Sequence, residues 1–92
     1  MKSIMQDSKY CYITLREERG LHKHHIYGGP NRRISEEQGF YVYLLPEYHN
    51  MSNRGVHFNK DFDLALKQAC QRKYEETHSR EEFMALIGRN YL

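Results

Sequence analysis

A six-residue apolar stretch that runs directly into a proline constrains the fold of this chain more than any other feature. Residues 40–45 read Phe-Tyr-Val-Tyr-Leu-Leu, and such aromatic and β-branched side chains are typical of a β-strand. Pro46 and Glu47 follow at once, and both residue types favour the first turn of a helix. The sequence therefore predicts a strand over residues 40–45 and a short helix that begins at Pro46.

The residues before that strand predict shorter extended segments. Residues 1–9 are expected to form a frayed start, and residues 11–14 a short strand. Residues 21–27 are expected to be extended until the glycines and the proline of residues 28–30 end the segment. We expect residues 31–39 to form a polar loop.

From residue 59 onward the apolar period becomes helical. Asn59 is a good N-cap, and an apolar side chain recurs after it at steps of three and four residues, at Phe62, Leu66, Ala69 or Cys70, and Tyr74. Ser79 and Glu82 have the spacing of a capping box. They predict a second, short helix that ends at Gly88 and whose apolar side carries Phe83, Leu86 and Ile87.

These elements predict a small α+β domain over residues 1–92, with a core of about 11–59 and C-terminal helices over about 60–88. No window approaches ~18 consecutive apolar residues, and the N-terminus lacks the apolar region of a secretory signal. Cys11 and Cys70 are too far apart for a CxxC motif and are expected to be reduced thiols. We therefore expect a soluble cytoplasmic protein.

The histidines are unevenly distributed along the chain. Five of the six lie between residues 22 and 57, which is well under half of the sequence: His22, His24, His25, His49 and His57. Adjacent residues of a strand point to opposite faces, so His24 and His25 cannot do the same job. Imidazole is a common ligand of divalent transition metals, and a metal site built from a hairpin and the helix after it is compact. We interpret His22 and His78 as ordinary polar residues.

Two motifs together resemble the HNH endonuclease family, and more narrowly its small members from bacteriophages and prophages. The first is Leu-His-Lys-His-His-Ile at residues 21–26, and the second is Tyr-Val-Tyr-Leu-Leu-Pro-Glu-Tyr-His-Asn at residues 41–50. Gly-Val-His-Phe-Asn at 55–59 and Ser-Arg-Glu-Glu-Phe at 79–83 extend the resemblance to roughly residues 11–92. It implies the ββα-metal (His-Me finger) fold, with a β-hairpin and a short helix forming the site.

The resemblance also implies roles for individual residues. The first histidine of the family's pair binds the metal and the second is the general base, which gives His24 and His25 these roles. His49 corresponds to the second ligand. The third ligand is His57, which is chemically the better one, or Asn53, which fits the family's spacing. The bound cofactor is then one divalent ion, with Mg, Mn, Ni and Zn all left open.

The chain departs from the family pattern at two places. The central asparagine of the HNH motif has no clear counterpart, and Asn31 and Asn50 are the candidates for orienting the hairpin. Many relatives carry a structural zinc on two CxxC pairs, whose positions here are Cys11, Thr14, Leu45 and Tyr48. One thiolate cannot hold zinc, so no structural zinc is expected and apolar packing is expected to replace it.

The function that follows is metal-dependent hydrolysis of DNA phosphodiester bonds by an endonuclease or nickase. Lys23, Arg32 and Arg33 are the candidates for contacts with backbone phosphates. The net charge of +2 does not by itself indicate nucleic-acid binding. Two alternatives remain open: a DNA-binding module that does not cut, and a structural phage protein. The partner is expected to be DNA, and the protein a monomer or a homodimer in the cytoplasm of a bacterial host.

Overall fold

The computed structural model describes residues 2–50 and 55–92. Over these residues the chain forms a small α+β fold with a two-stranded antiparallel sheet and four α-helices. Its elements in chain order are β1 (His22–His25), α1 (Arg32–Gln38), β2 (Tyr41–Leu44), α2 (Pro46–His49), α3 (Lys60–Tyr74) and α4 (Arg80–Ile87). Single 3-10 turns over Gly29–Asn31 and Val56–Phe58 precede α1 and α3. The α+β class predicted from the sequence is confirmed.

The register of the sheet fixes which histidines share a face. Strands β1 and β2 pair with His22 opposite Leu44 and His24 opposite Val42. Alternate residues of a strand point to the same side, so the side chains of His22 and His24 lie on one face and that of His25 on the other.

The two strands are joined by a helix, and the predicted polar loop over residues 31–39 is wrong. Helix α1 covers Arg32–Gln38, and Gly39 ends it with a left-handed φ of 76°. The buried Ser35 hydroxyl accepts a hydrogen bond from the Tyr27 N–H and donates one to the Tyr27 carbonyl oxygen. The sequence does not reveal this helix because Ile34 is its one apolar side chain, so no apolar residue recurs at helical spacing.

The predicted strand over residues 11–14 is also wrong. These residues form a turn, in which the Leu15 N–H donates to the Cys11 carbonyl oxygen at 2.8 Å and Leu15 itself has a positive φ of 63°. The Tyr12 N–H instead donates to the Tyr43 carbonyl oxygen at 2.9 Å. The turn therefore covers the edge of β2 that faces away from β1, which the sheet leaves unpaired.

The N-terminal segment is packed, and the expectation of a frayed start is wrong for its described part. The side-chain amide of Gln6 is buried, donates to the Tyr10 carbonyl oxygen and accepts from the Tyr43 N–H at 2.7 Å. The Ile4 N–H donates to the Gly39 carbonyl oxygen at 2.9 Å. The bond from Tyr43 satisfies a backbone group on the outer edge of β2, and the bond to Gly39 fixes the segment against the end of α1.

The C-terminal helices follow the sequence prediction closely. The Asn59 side chain accepts from the Phe62 N–H, Ser79 and Glu82 form a complete capping box, and Gly88 ends α4 with a φ of 85°. Both helices contribute to the core the side chains that the helical period predicts. The core consists of Ile26, Tyr27, Phe40, Val42, Leu44, Val56, Leu66, Cys70, Tyr74, Phe83 and Ile87. Among the described residues, no helix has the length and apolar character needed to cross a bilayer.

Candidate metal centre

The structure brings together the three histidines that the sequence nominates as metal ligands. His24 comes from the middle of β1, His49 is the last residue of α2, and His57 lies in the 3-10 turn before α3. One ring nitrogen from each lies within 4.8 Å of those of the other two. His24 is buried, His49 half-buried and His57 exposed, so the cluster reaches from the core to the surface.

Local sequence explains how three separate elements meet here. Pro46 starts α2 immediately after β2, and one helical turn carries His49 back over β1. Val56 is 2% exposed and anchors the 3-10 turn in the core, which holds His57 beside His49. The ring centroids of His49 and His57 are 4.6 Å apart, and that of His24 is 5.2 Å from His49 and 5.1 Å from His57.

The nitrogen atoms of the cluster fit a metal ion. Nε2 of His49 and Nε2 of His57 are 2.9 Å apart. Metal–nitrogen bonds of about 2.0–2.1 Å would hold two ligating nitrogens roughly 2.9–3.4 Å apart in octahedral or tetrahedral geometry. Nε2 of His24 is buried and has no hydrogen-bond partner among the described residues. A buried nitrogen without a partner is costly, and a bound cation would use its lone pair.

The surroundings keep the imidazoles of His24 and His49 neutral. Burial, together with the neighbouring His49 and His57, lowers the pKa of His24 to about 3. Burial and the neighbours His57 and His22 lower the pKa of His49 to about 4. Neutral imidazole is the form that binds a metal, so protons do not compete for these two ligands near neutral pH. Three imidazole nitrogen donors suit transition metals such as zinc or nickel better than magnesium, which prefers oxygen.

A cleft of about 260 Å³ lies against the cluster and extends beyond it. Its walls are formed by Lys23, His24, His25, Gly28, Gly29, Arg32, His49 and His57. The cleft therefore brings the predicted general base and two of the three predicted phosphate-binding residues to the same space as the three candidate ligands.

His25 reaches this cleft from the opposite side of β1. Its side chain is 11% exposed, and its Nε2 is buried, has no hydrogen-bond partner among the described residues and lies 3.7 Å from Oε1 of Glu36. Burial is the main reason that the pKa of His25 is lowered; Arg32 adds to the effect and Glu36 opposes it. At neutral pH the ring is uncharged and can accept a proton.

The three basic candidates have different surroundings. Lys23 binds Glu36 at 3.2 Å and lies 4.3 Å from the centre of the Tyr41 ring. Arg32 borders the cleft, and none of the ion pairs seen in the described part of the chain involves it. The Arg33 side chain is 89% exposed and binds Glu37 one turn along α1, away from the cleft. Arg32 is therefore the best placed of the three to meet an anion in the cleft.

Neither described asparagine candidate has a hydrogen bond to a candidate metal ligand. The Asn31 side chain donates to the Ile87 carbonyl oxygen at 3.0 Å, so it joins the start of α1 to the end of α4 and contacts neither strand through that bond. Asn50 is exposed at the C-terminus of α2. Asn53, the alternative third ligand, lies outside the described residues.

The two cysteines are free and buried. Cys11 lies against Leu45, whose N–H donates to its Sγ at 3.5 Å. Of the four positions that the HNH resemblance associates with a structural zinc, Cys11 and Leu45 therefore meet through a thiol and a backbone N–H. Cys70 belongs to the main core, and burial raises its pKa to about 12.

One residue of the site was missed by the sequence analysis. His22, which we interpreted as an ordinary polar residue, has its Nδ1 3.0 Å from Nδ1 of His49. The signal was present in the sequence, because His22 and His24 are two residues apart on a predicted strand and share a face.

Comparisons with protein-family models, with curated proteins and with solved structures find no match for this chain.

Proposed function

We propose that this protein is a metal-dependent DNA endonuclease or nickase of the HNH type, from a phage or prophage. The observation that carries the proposal is the single cleft shared by the three histidines, His25 and Arg32. The order of β1, β2 and α2, with a histidine on β1 and one on α2, supports a ββα-metal core. The chemistry that such a site needs is a metal-binding set, a proton acceptor and a cationic contact for phosphate.

In this proposal His24, His49 and His57 hold one divalent cation. Bound there, the cation supplies a Lewis acid for the scissile phosphate and offsets the charge on the departing 3′ oxygen. Solvent exposure rises from the buried His24 to the exposed His57, so the substrate can approach from the side of His57.

His25 takes the proton of the attacking water. Its Nε2 faces Glu36 and is closed to solvent, so Nδ1 is the ring nitrogen left for the water. The lowered pKa keeps the ring in the basic form at neutral pH, as a general base requires. Its place on the other face of β1 from His24 keeps it out of the metal-binding set.

Arg32 and Lys23, which both line the cleft, hold the DNA backbone. Arg32 can form two parallel hydrogen bonds with a phosphate. The ammonium of Lys23 is shared with Glu36, so its contribution is weaker. Arg33 can leave its exposed ion pair with Glu37 and bind a phosphate instead, because such pairs contribute little stability in water.

A module that binds DNA without cutting it is the second candidate. The enclosed Nε2 of His25 favours it, because only one nitrogen of that ring, Nδ1, is then left to meet a water. The bond of Asn31 to α4 favours it as well, because this asparagine then does not orient the strands. Both candidates predict the same metal site and differ only in whether a phosphodiester bond is broken.

A plasmid-nicking assay separates the two candidates. Metal-stripped protein is supplied with magnesium, manganese, nickel or zinc, and wild type is compared with His25→Ala and with the distant His78→Ala. We expect metal-dependent nicking by wild type and His78→Ala, and its loss in His25→Ala with metal affinity retained. Absence of nicking with every metal, from folded protein that binds both metal and DNA, would favour the non-cutting module.

A further inference from the structure

We infer that His22 is a positioning residue of the metal centre, which accepts a hydrogen bond from Nδ1–H of His49 and so leaves Nε2 of His49 free to bind a cation. This inference rests on the metal site of the proposed function and does not depend on DNA cleavage. No motif of the HNH resemblance assigns a role to His22.

The geometry places the two rings in direct contact. The Nδ1 atoms of His22 and His49 are 3.0 Å apart, and the rings meet edge to face with centroids 5.1 Å apart and planes at 83°. Two nitrogens at this distance share one proton, so one ring donates and the other accepts. His22 is held on the correct face of β1 by its pairing with Leu44 in the sheet.

His22 is not itself in the group of candidate ligands. The three nitrogens that converge belong to His24, His49 and His57. Nδ1 of His22 lies against Nδ1 of His49, while the Nε2 of His49 on the opposite edge of that ring points to Nε2 of His57. The His49 ring thus separates His22 from the position a cation would take.

Only one tautomer of His49 is compatible with binding a cation between His49 and His57. A neutral His49 carries one N–H. If that proton is on Nε2, it is donated to His57 and blocks both nitrogens needed for a cation. If it is on Nδ1, it is donated to His22, and Nε2 of His49 is bare. An acceptor at His22 therefore stabilises the tautomer that can bind metal, which is the usual role of the outer hydrogen-bond partner of a ligating histidine.

Substitutions at His22 test this role through metal affinity. In His22→Leu the acceptor is lost, whereas in His22→Asn the side-chain oxygen takes nearly the position of Nδ1. Zinc affinity is measured by competition with a chromophoric chelator for wild type, both variants and His78→Leu as a control. Circular dichroism and the melting temperature of the metal-free proteins verify that each one folds.

We expect zinc affinity to fall by about 10- to 100-fold in His22→Leu, to be largely restored in His22→Asn and to be unchanged in His78→Leu. Two-bond ¹H–¹⁵N spectra of zinc-loaded wild type are expected to show His49 protonated at Nδ1. Equal zinc affinity in folded His22→Leu and wild type would overturn the inference. So would a zinc-bound His49 protonated at Nε2, or no zinc binding by wild type. Wild type that binds zinc in this His22-dependent way but never nicks DNA would leave the inference standing and contradict the nuclease.

Discussion

His24 and His25 are adjacent in the chain, yet their rings belong to different environments. The His24 ring contacts His49 and His57 on one face of β1, while the His25 ring lies near Tyr41 and the carboxylate of Glu36 on the other. Successive side chains of a β-strand point to opposite faces, which separates the two rings. Both nevertheless line the same cleft at the end of the strand. Under the proposed function, a metal ligand and a general base can therefore lie side by side without competing for the cation.

Metal binding is expected to stabilise the fold through the exposed ligand. A cation that binds only the folded state contributes about 2.7 kcal/mol at a concentration of 100 times its dissociation constant. His57→Ala should remove this effect, while the melting temperature of the metal-free protein should change little because His57 is exposed. Thermal unfolding with and without zinc measures both. An equal zinc-induced shift in His57→Ala and wild type would remove His57 from the site and favour another third ligand.

The metal-free protein is expected to lose stability as the pH falls below about 6.5. His24 and His49 have folded-state pKa values of about 3 and about 4, against an ordinary value of 6.5. Below pH 6.5 these histidines bind protons in the unfolded chain but not in the folded one. The free energy of unfolding therefore decreases until the pH nears the folded-state pKa values. Urea unfolding at pH 7, 6 and 5 tests this, with zinc absent. A free energy of unfolding that stays constant between pH 7 and pH 5 would contradict the buried neutral state of these rings.

Gly39 is expected to be the least replaceable glycine among those described. Its φ of 76° is left-handed, and an added Cβ would overlap the backbone carbonyl of Lys2. Gly20 has nearly the same φ, 75°, with open space around it. Alanine at either position costs about 1–2 kcal/mol for the backbone conformation, and the overlap adds to that cost only at Gly39. Urea unfolding of the two variants should separate them, and equal losses would mean that the N-terminal segment is not held against α1.

Asn31 is expected to act on stability and not on the metal. Asn31→Ala removes the bond to the Ile87 carbonyl oxygen and should lower the free energy of unfolding by about 1 kcal/mol. Asn50→Ala, at an exposed helix end, should stay within about 0.5 kcal/mol of wild type. Zinc affinity should be unchanged in both. A loss of zinc affinity in Asn31→Ala at unchanged stability would give Asn31 the orienting role that the family resemblance implies.

Strands β1 and β2 and the C-terminal helices could be predicted because the local sequence pattern of each agrees with its place in the fold. Residues 40–45 are apolar and end at a proline, and Ser79 and Glu82 satisfy their own helix end without help from elsewhere. Helix α1 could not be predicted, because it is held by a bond between the buried hydroxyl of Ser35 and the backbone of Tyr27, which leaves no apolar pattern in the sequence. The packed N-terminal segment depends in the same way on the free edge of β2.

The candidate site likewise has features that the sequence predicted and features that depend on tertiary contacts. His24 and His49 were predicted as ligands from the family resemblance, and His57 was preferred to Asn53 because imidazole is chemically the better ligand. The bond between His22 and His49 depends on the register of β1 against β2 and on how far α2 turns, and neither can be read from the sequence. The partners of Lys23 and Arg33 are likewise set by α1, the helix that the sequence did not indicate.

The most direct test of the account is to locate the metal. A crystal of the zinc-loaded protein, measured at the zinc absorption edge, should show one anomalous peak about 2.0–2.1 Å from a ring nitrogen of each of His24, His49 and His57. The ligating atoms are expected to be the Nε2 atoms, with His25 outside the coordination shell. A peak bound elsewhere, or no peak at this cluster from protein saturated with zinc, would contradict the central claim that these histidines form a metal centre.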